Sequence, residues 1–295
     1  MKPIPAQAIT VNSSLEVKTT SHSKESFLPT FNEKGYYLLP GILSPERVLE
    51  IRKFLEEKFN EKFQDEDLIR DDTIPDHLCL YPELIDTFIN DQLLEVIKSI
   101  VGDDFVLLSV SCIRNSFKVL HTDLTTAEGV GAQFFLRPDF NAITIGIYLQ
   151  DCNDEGGGLF VVPGSHKKRD PLVKQRQLAK GIGVPVFAKI MRKMTGGRFP
   201  KYEDYSIFEK EGINLPSKAG DAVVFDMRIL HRGSKAVAKR ETTKFALFYH
   251  ISASGQSCDE HIEFLFSEHG HPYLREPRNP EIIKKAAQNA GFTAI

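Results

Sequence analysis

The hydrophobic period of this chain changes once, near residue 105, and that change limits the folds open to it. Before it, apolar residues recur at helical spacing. Val48, Ile51, Leu55 and Phe59 form one such face. They follow Ser44-Pro45, a side-chain N-cap with proline at the first helical position. Residues 83–101 repeat the pattern through Leu84, Phe88, Leu93, Leu94, Ile97 and Ile100, and Gly102 is the stop. Beyond it, short β-rich runs take over at 105–110, 142–149, 158–162, 222–225 and 245–251, parted by glycine clusters and Pro-Gly. An earlier short strand is expected at 35–40. Helices followed by many strands predict a mainly β fold with flanking helices, and exclude a doubly wound parallel sheet.

The remaining segments are read from composition. Residues 1–26 are rich in Ser, Thr and Lys without a period, and are expected to form a disordered tail. Residues 27–295 are read as a single domain. Within it, residues 167–218 interrupt the strand series with a basic stretch and an apolar run at 182–191. Such a long insertion is expected to be lid-like, with a helical decoration of the barrel wall as the alternative. Its Lys167, Lys168, Arg169, Lys174 and Arg176 read as a solvated face or as a site for an anionic substrate group. A short helix is expected from Asn279-Pro280 to Gly291.

The bulk properties remove several classes of function. The 295 residues carry a net charge of −3, so no basic excess calls for nucleic acid. No apolar stretch reaches the ~20 residues of a membrane span, and the first residues lack the apolar core of a secretion signal. Cys79, Cys112, Cys152 and Cys258 make no C-x-x-C pair, and are read as reduced thiols of a cytoplasmic protein.

The chemistry centres on His121-Thr122-Asp123. In a strand, residues i and i+2 share a face, so imidazole and carboxylate converge. His231 is the best third donor. It follows residues 220–230, which read as a turn, a strand and a strand end. Two histidines and a carboxylate on one face of a metal leave three positions open, which suits non-haem Fe(II) that takes up a cosubstrate and O2 together. A lone H-x-D is weak evidence, because a surface His-Asp pair has the same spelling. Among the other histidines, His250 lies in a strand and reads as packed or hydrogen-bonded. His261, His269 and His271 read as surface.

Four segments, taken together, resemble the phytanoyl-CoA dioxygenase-like family of Fe(II)/2-oxoglutarate oxygenases. They are Phe31-Asn-Glu-Lys-Gly-Tyr-Tyr-Leu-Leu-Pro-Gly-Ile-Leu-Ser-Pro-Glu46, Leu120-His-Thr-Asp123, Gly157-Gly-Leu-Phe-Val-Val-Pro-Gly-Ser-His-Lys167 and Gly220-Asp-Ala-Val-Val-Phe-Asp226 with His231-Arg-Gly-Ser234. The resemblance implies a double-stranded β-helix, a cupin-like jelly roll, with a helical N-terminal layer. It implies Fe(II) on His121, Asp123 and His231, with 2-oxoglutarate and O2 as cosubstrates. Members decarboxylate 2-oxoglutarate to succinate and CO2 and oxidise an unactivated carbon of a small or medium organic molecule. Halogenases of this kind leave the carboxylate position to Gly or Ala, so Asp123 points to hydroxylation or a related oxidation.

The family places an arginine under the distal carboxylate of 2-oxoglutarate. Here the segment is Lys239-Arg-Glu-Thr-Thr-Lys244-Phe-Ala-Leu. Alignment favours Lys244 as the anchor; guanidinium chemistry favours Arg240. Gln133, Thr144 and Tyr148 are further candidates to touch cosubstrate or substrate, with ordinary barrel lining as the alternative. His166 is expected to hydrogen-bond rather than ligate, and Asp226 with Arg228 to form an internal pair. A non-catalytic ligand-binding jelly roll is the rival reading, and a zinc or manganese hydrolase or isomerase a third.

Overall fold

A computed structural model describes residues 24–63, 72–115, 120–167, 210–236, 242–271, 274 and 280–295. Most of the tail, most of the expected insertion, Asn279 and Arg240 therefore lie outside the described residues. The helices are α1 (Lys24–Lys34), α2 (Pro45–Lys62), α3 (His77–Leu80), α4 (Asp91–Val101), α5 (Thr125–Val130), α6 (Gln256–Phe266) and α7 (Glu281–Asn289). The strands are β1 (Tyr36–Leu39), β2 (Asp72–Pro75), β3 (Phe105–Arg114), β4 (Ala142–Tyr148), β5 (Leu159–Val161), β6 (Ile213–Asn214), β7 (Ala222–Asp226), β8 (His231–Gly233), β9 (Phe245–Ala253) and β10 (Thr293–Ala294).

Two sheets result. The larger runs β1-β7-β4-β9-β3-β10, with β2 also on β3; the smaller runs β6-β5-β8. Every described pairing is antiparallel except that of β10 with β3. This is the helix-flanked jelly roll expected from the sequence.

The register of β4 and β9 divides the interior in two. Thr144 faces His250, Gly146 faces Phe248, and Tyr148 faces Ala246. Because side chains alternate, the odd residues of both strands point the other way. Ile143, Ile145, Leu247 and Tyr249 join a buried cluster with Ile51 and Leu55 of α2 and Ile97 of α4. The even residues point towards the smaller sheet. Both faces of these strands are covered, which is why they spell continuous apolar runs rather than a clean alternation.

Three elements depart from the sequence reading. The expected helix at 83–101 breaks into a 3₁₀ turn, Pro82–Thr87, and α4. The Asn90 side chain accepts from the Leu93 N–H at 3.1 Å, so it starts a new helix instead of continuing one. Strand β3 runs on to Arg114 because it is paired on both sides there, with Asp72 of β2 and Phe245 of β9 opposite Arg114. Nothing in Asp72-Thr-Ile-Pro75 signals a strand; a tertiary ion pair fixes it. His261, read as a surface residue, lies instead in α6, which buries it with Cys258 and Leu265.

That ion pair is buried. Arg114 Nη2 lies 2.6 Å from Asp72 Oδ2, and both side chains are at most 6% exposed. The guanidinium also lies over Phe59 of α2, 5.2 Å from the ring centre. Asp72→Ala removes a carboxylate from a buried guanidinium that keeps its bond to Asn60 Oδ1, and is expected to cost about 1.5–3 kcal/mol in urea unfolding. Asp72→Ala combined with Arg114→Met is expected to recover much of that loss.

Candidate functional site

The site begins with a backbone pairing. The N–H of His121 donates to the His231 carbonyl at 3.0 Å, and that of His231 donates to the His121 carbonyl at 2.8 Å. The Asp123 N–H continues the pairing to the Met227 carbonyl at 3.2 Å. Residues 121–123 are thus laid beside the turn between β7 and β8. They form a single bridge followed by a turn into α5, not the strand expected from H-x-D spacing. The three side chains converge all the same, with one donor atom from each within 4.8 Å of the others.

Neighbouring groups fix each side chain. His231 Nδ1 lies 3.1 Å from the Ile229 carbonyl and donates to it, which turns Nε2 towards Asp123. Nε2 lies 3.4 Å from Asp123 Oδ1. The His231 ring packs between His121 and Phe225, with ring centres 4.5 and 4.7 Å away. Thr144 donates to Asp123 Oδ2 at 2.5 Å. Burial alone would raise the Asp123 pKa. The His231 charge and hydrogen bond, with His250 and His121 behind them, outweigh it and hold the carboxyl well below its ordinary range.

The triad opens on a cavity of about 280 Å³. Tyr148 of β4, Ala246, Phe248 and His250 of β9 and, further along the same sheet, Thr73 and Pro75 of β2 line it, together with Leu159 and Gly233 of the smaller sheet. Lys244 enters just before β9. Asn115 holds its backbone at both ends, accepting from its N–H at 2.9 Å and donating to its carbonyl at 2.8 Å. The ammonium lies 3.1 Å from Glu155 Oε2 and 3.0 Å from Thr242 Oγ1. Gly157, at φ +89°, makes room for the lysine stem: a Cβ there would come within 3.1 Å of Lys244 Cδ.

The other candidates separate clearly. Thr144 reaches the site through Asp123, whereas Tyr148 lines the cavity directly. Gln133 is exposed in the turn after α5, donates to the Gly131 carbonyl at 3.1 Å, and is not part of the cavity wall. His166 sits against Gly35 and pairs with the Asn32 carbonyl at 3.3 Å, a hydrogen-bonding role. Asp226 and Arg228 form a two-point ion pair. His250 pairs with Ser109 Oγ at 2.9 Å and lines the cavity. His261 is not a surface residue: it stacks on Phe134 at 4.4 Å, and burial lowers its pKa to about 3. His271 also differs from expectation, since it lines the cavity. Glu155 and Asn115, which frame Lys244, carry no sequence signal beyond the glycines that follow Glu155.

The donor set suits a divalent iron: two imidazoles and one carboxylate gathered in the wall of a partly open, largely apolar cavity. The ectoine dioxygenase of Nocardia farcinica (strain IFM 10152) is 25% identical over 225 residues, covering 71% of this chain and 71% of that protein. HygX from Streptomyces hygroscopicus, solved with nickel and 2-oxoglutarate bound, has a TM-score of 0.55 at 17% identity, over 77% of this chain and 86% of its own. SnoK, a non-heme alpha ketoglutarate dependent carbocyclase from nogalamycin biosynthesis, has a TM-score of 0.53 at 19% identity, over 78% of this chain and 84% of its own. These two structures share the fold. The profile of the family described as Phytanoyl-CoA dioxygenase (PhyH) matches residues 31–239, a stretch that holds His121, Asp123 and His231. Spanning well over half of the sequence and all three converging donors, that match makes the chain a member of the phytanoyl-CoA dioxygenase family.

Proposed function

We propose that this protein is an Fe(II)- and 2-oxoglutarate-dependent dioxygenase. It hydroxylates an unactivated C–H of a small or medium organic substrate, a natural-product or acyl intermediate, and releases succinate and CO2. The observation that carries this reading is the convergence of His121, Asp123 and His231 in the wall of a cavity that Lys244 also lines.

In this reading the three donors hold iron on one face, and iron with O2 supplies the oxidising chemistry. The chain's own groups prepare the site. The Ile229 carbonyl fixes the His231 ring, and Thr144 fixes the Asp123 rotamer. Phe225 and Phe248 keep water from the cavity wall. Lys244 anchors the distal carboxylate of 2-oxoglutarate as a point charge. Asp123 fills the position that halogenases leave open, which favours hydroxylation.

Anaerobic addition of Fe(II) and 2-oxoglutarate is expected to produce the weak visible charge-transfer band of the chelate. His121→Ala, Asp123→Ala and His231→Ala should each lose it; no band from the unaltered chain at saturating metal would sink the reading. Lys244→Ala is expected to weaken 2-oxoglutarate binding roughly tenfold to hundredfold in the same titration, since it removes a charged hydrogen-bond donor. Thr144→Val keeps the shape of the side chain but frees Asp123. It should lower Fe(II) affinity by about 10–100-fold, read by metal competition.

A further inference from the structure

The cavity has a polar corner away from Lys244. Alternation puts Phe248 and His250 of β9 on the face that carries Thr144 of β4, and His250 lies directly across from Thr144. Thr144 in turn bonds Asp123, so His250 stands one strand from the metal-binding donors. Lys244 lies six residues back along the chain, about 20 Å away along an extended strand. His271 reaches the cavity from the turn after α6, held by its N–H to the Leu265 carbonyl at 3.0 Å. Burial lowers the pKa of His261; the charges of His250 and His271 lower it further and that of Asp123 raises it, so all three groups lie around one buried ring.

Both rings are within reach of a ligand. His250 and His271 line the cavity and are partly exposed, as is Ser111 of β3, which pairs with Phe248. Ser109 fixes the His250 ring through Nδ1 at 2.9 Å. Ile113 and Phe248 supply apolar surface beside them. Among the described residues that line the cavity, Asp123 is the only carboxylate, and it belongs to the metal-binding donors. An ammonium group on a substrate would therefore be taken from water without a counter-ion, which is costly. A carboxylate instead meets two imidazoles and a hydroxyl, each able to donate, and hydrogen bonds to a charged acceptor are the strong ones.

Resting on the dioxygenase reading above, we infer that the substrate to be oxidised is an organic acid whose carboxylate is bound by His250 and His271. Ser111 adds a third donor, and the hydrocarbon part of the acid lies on Ile113 and Phe248. Anchored there, the carboxylate sets which carbon faces the triad, so the two histidines determine specificity.

The test uses the full chain loaded with Fe(II) and saturating 2-oxoglutarate without oxygen. Cyclohexanecarboxylate, cyclohexanecarboxamide and cyclohexylmethylamine, alike in shape, are each titrated against the chelate band. The acid is expected to shift the band with a Kd on the order of tenfold below those of the amide and the amine. His271→Ala and His250→Phe should each weaken the acid roughly tenfold and leave the amide unchanged. No shift with the acid, or equal binding of acid and amide, overturns the inference alone. So does a loss of the band in place of a shift, since the acid then displaces 2-oxoglutarate. An acid Kd unchanged in either variant also overturns it, as does equal weakening of acid and amide, the mark of a packing role. Absence of a chelate band from the unaltered chain before any probe is added overturns the dioxygenase reading and this inference together.

Discussion

The site depends on two hydrogen bonds between the backbones of His121 and His231. These residues are far apart in sequence, and the pairing makes them neighbours before any side chain is considered. Asp123 is then placed by the next bond along, to Met227. A ligand set built on backbone bonds has little freedom to drift, because each bond sits in a buried region where losing it is costly. The contacts from Thr144, Phe225 and the Ile229 carbonyl refine a geometry that the main chain has already set.

The second organising fact is the alternation along β4 and β9. One face of each strand joins the helical layer, and from the other Tyr148 of β4 and Ala246, Phe248 and His250 of β9 reach the cavity. Support and chemistry thus come from the same strands, one residue apart. The helices α2 and α4 hold the odd residues, and in doing so fix the rotation of the even ones. Arg52 of α2 extends that support to the entry of Lys244, donating to the carbonyls of Leu149 and Thr243 at 3.1 and 3.0 Å.

Much of this was legible in the sequence because it is written in local patterns. The face of α2, its Ser44 cap and the runs of β4, β7 and β9 follow from spacing alone. The triad needed several segments read together, since H-x-D by itself means little. What escaped depends on tertiary context. Strand β2 owes its pairing to a buried ion pair, not to propensity. His261 looks like a loop residue until α6 folds over Phe134. Gln133 sits close to the H-x-D segment in sequence, but α5 turns it out to the surface. Asn115, Glu155 and Lys244 come together from three separate segments, a juxtaposition no local pattern encodes.

The missing side chain at Gly146 couples that position to two aromatic neighbours. A Cβ there would meet Phe248 Cε1 at 3.0 Å and the Tyr148 hydroxyl at 3.1 Å. A larger residue at 146 therefore requires both rings to give way, and the shape of this part of the cavity is set by three positions together, whose substitutions are non-additive.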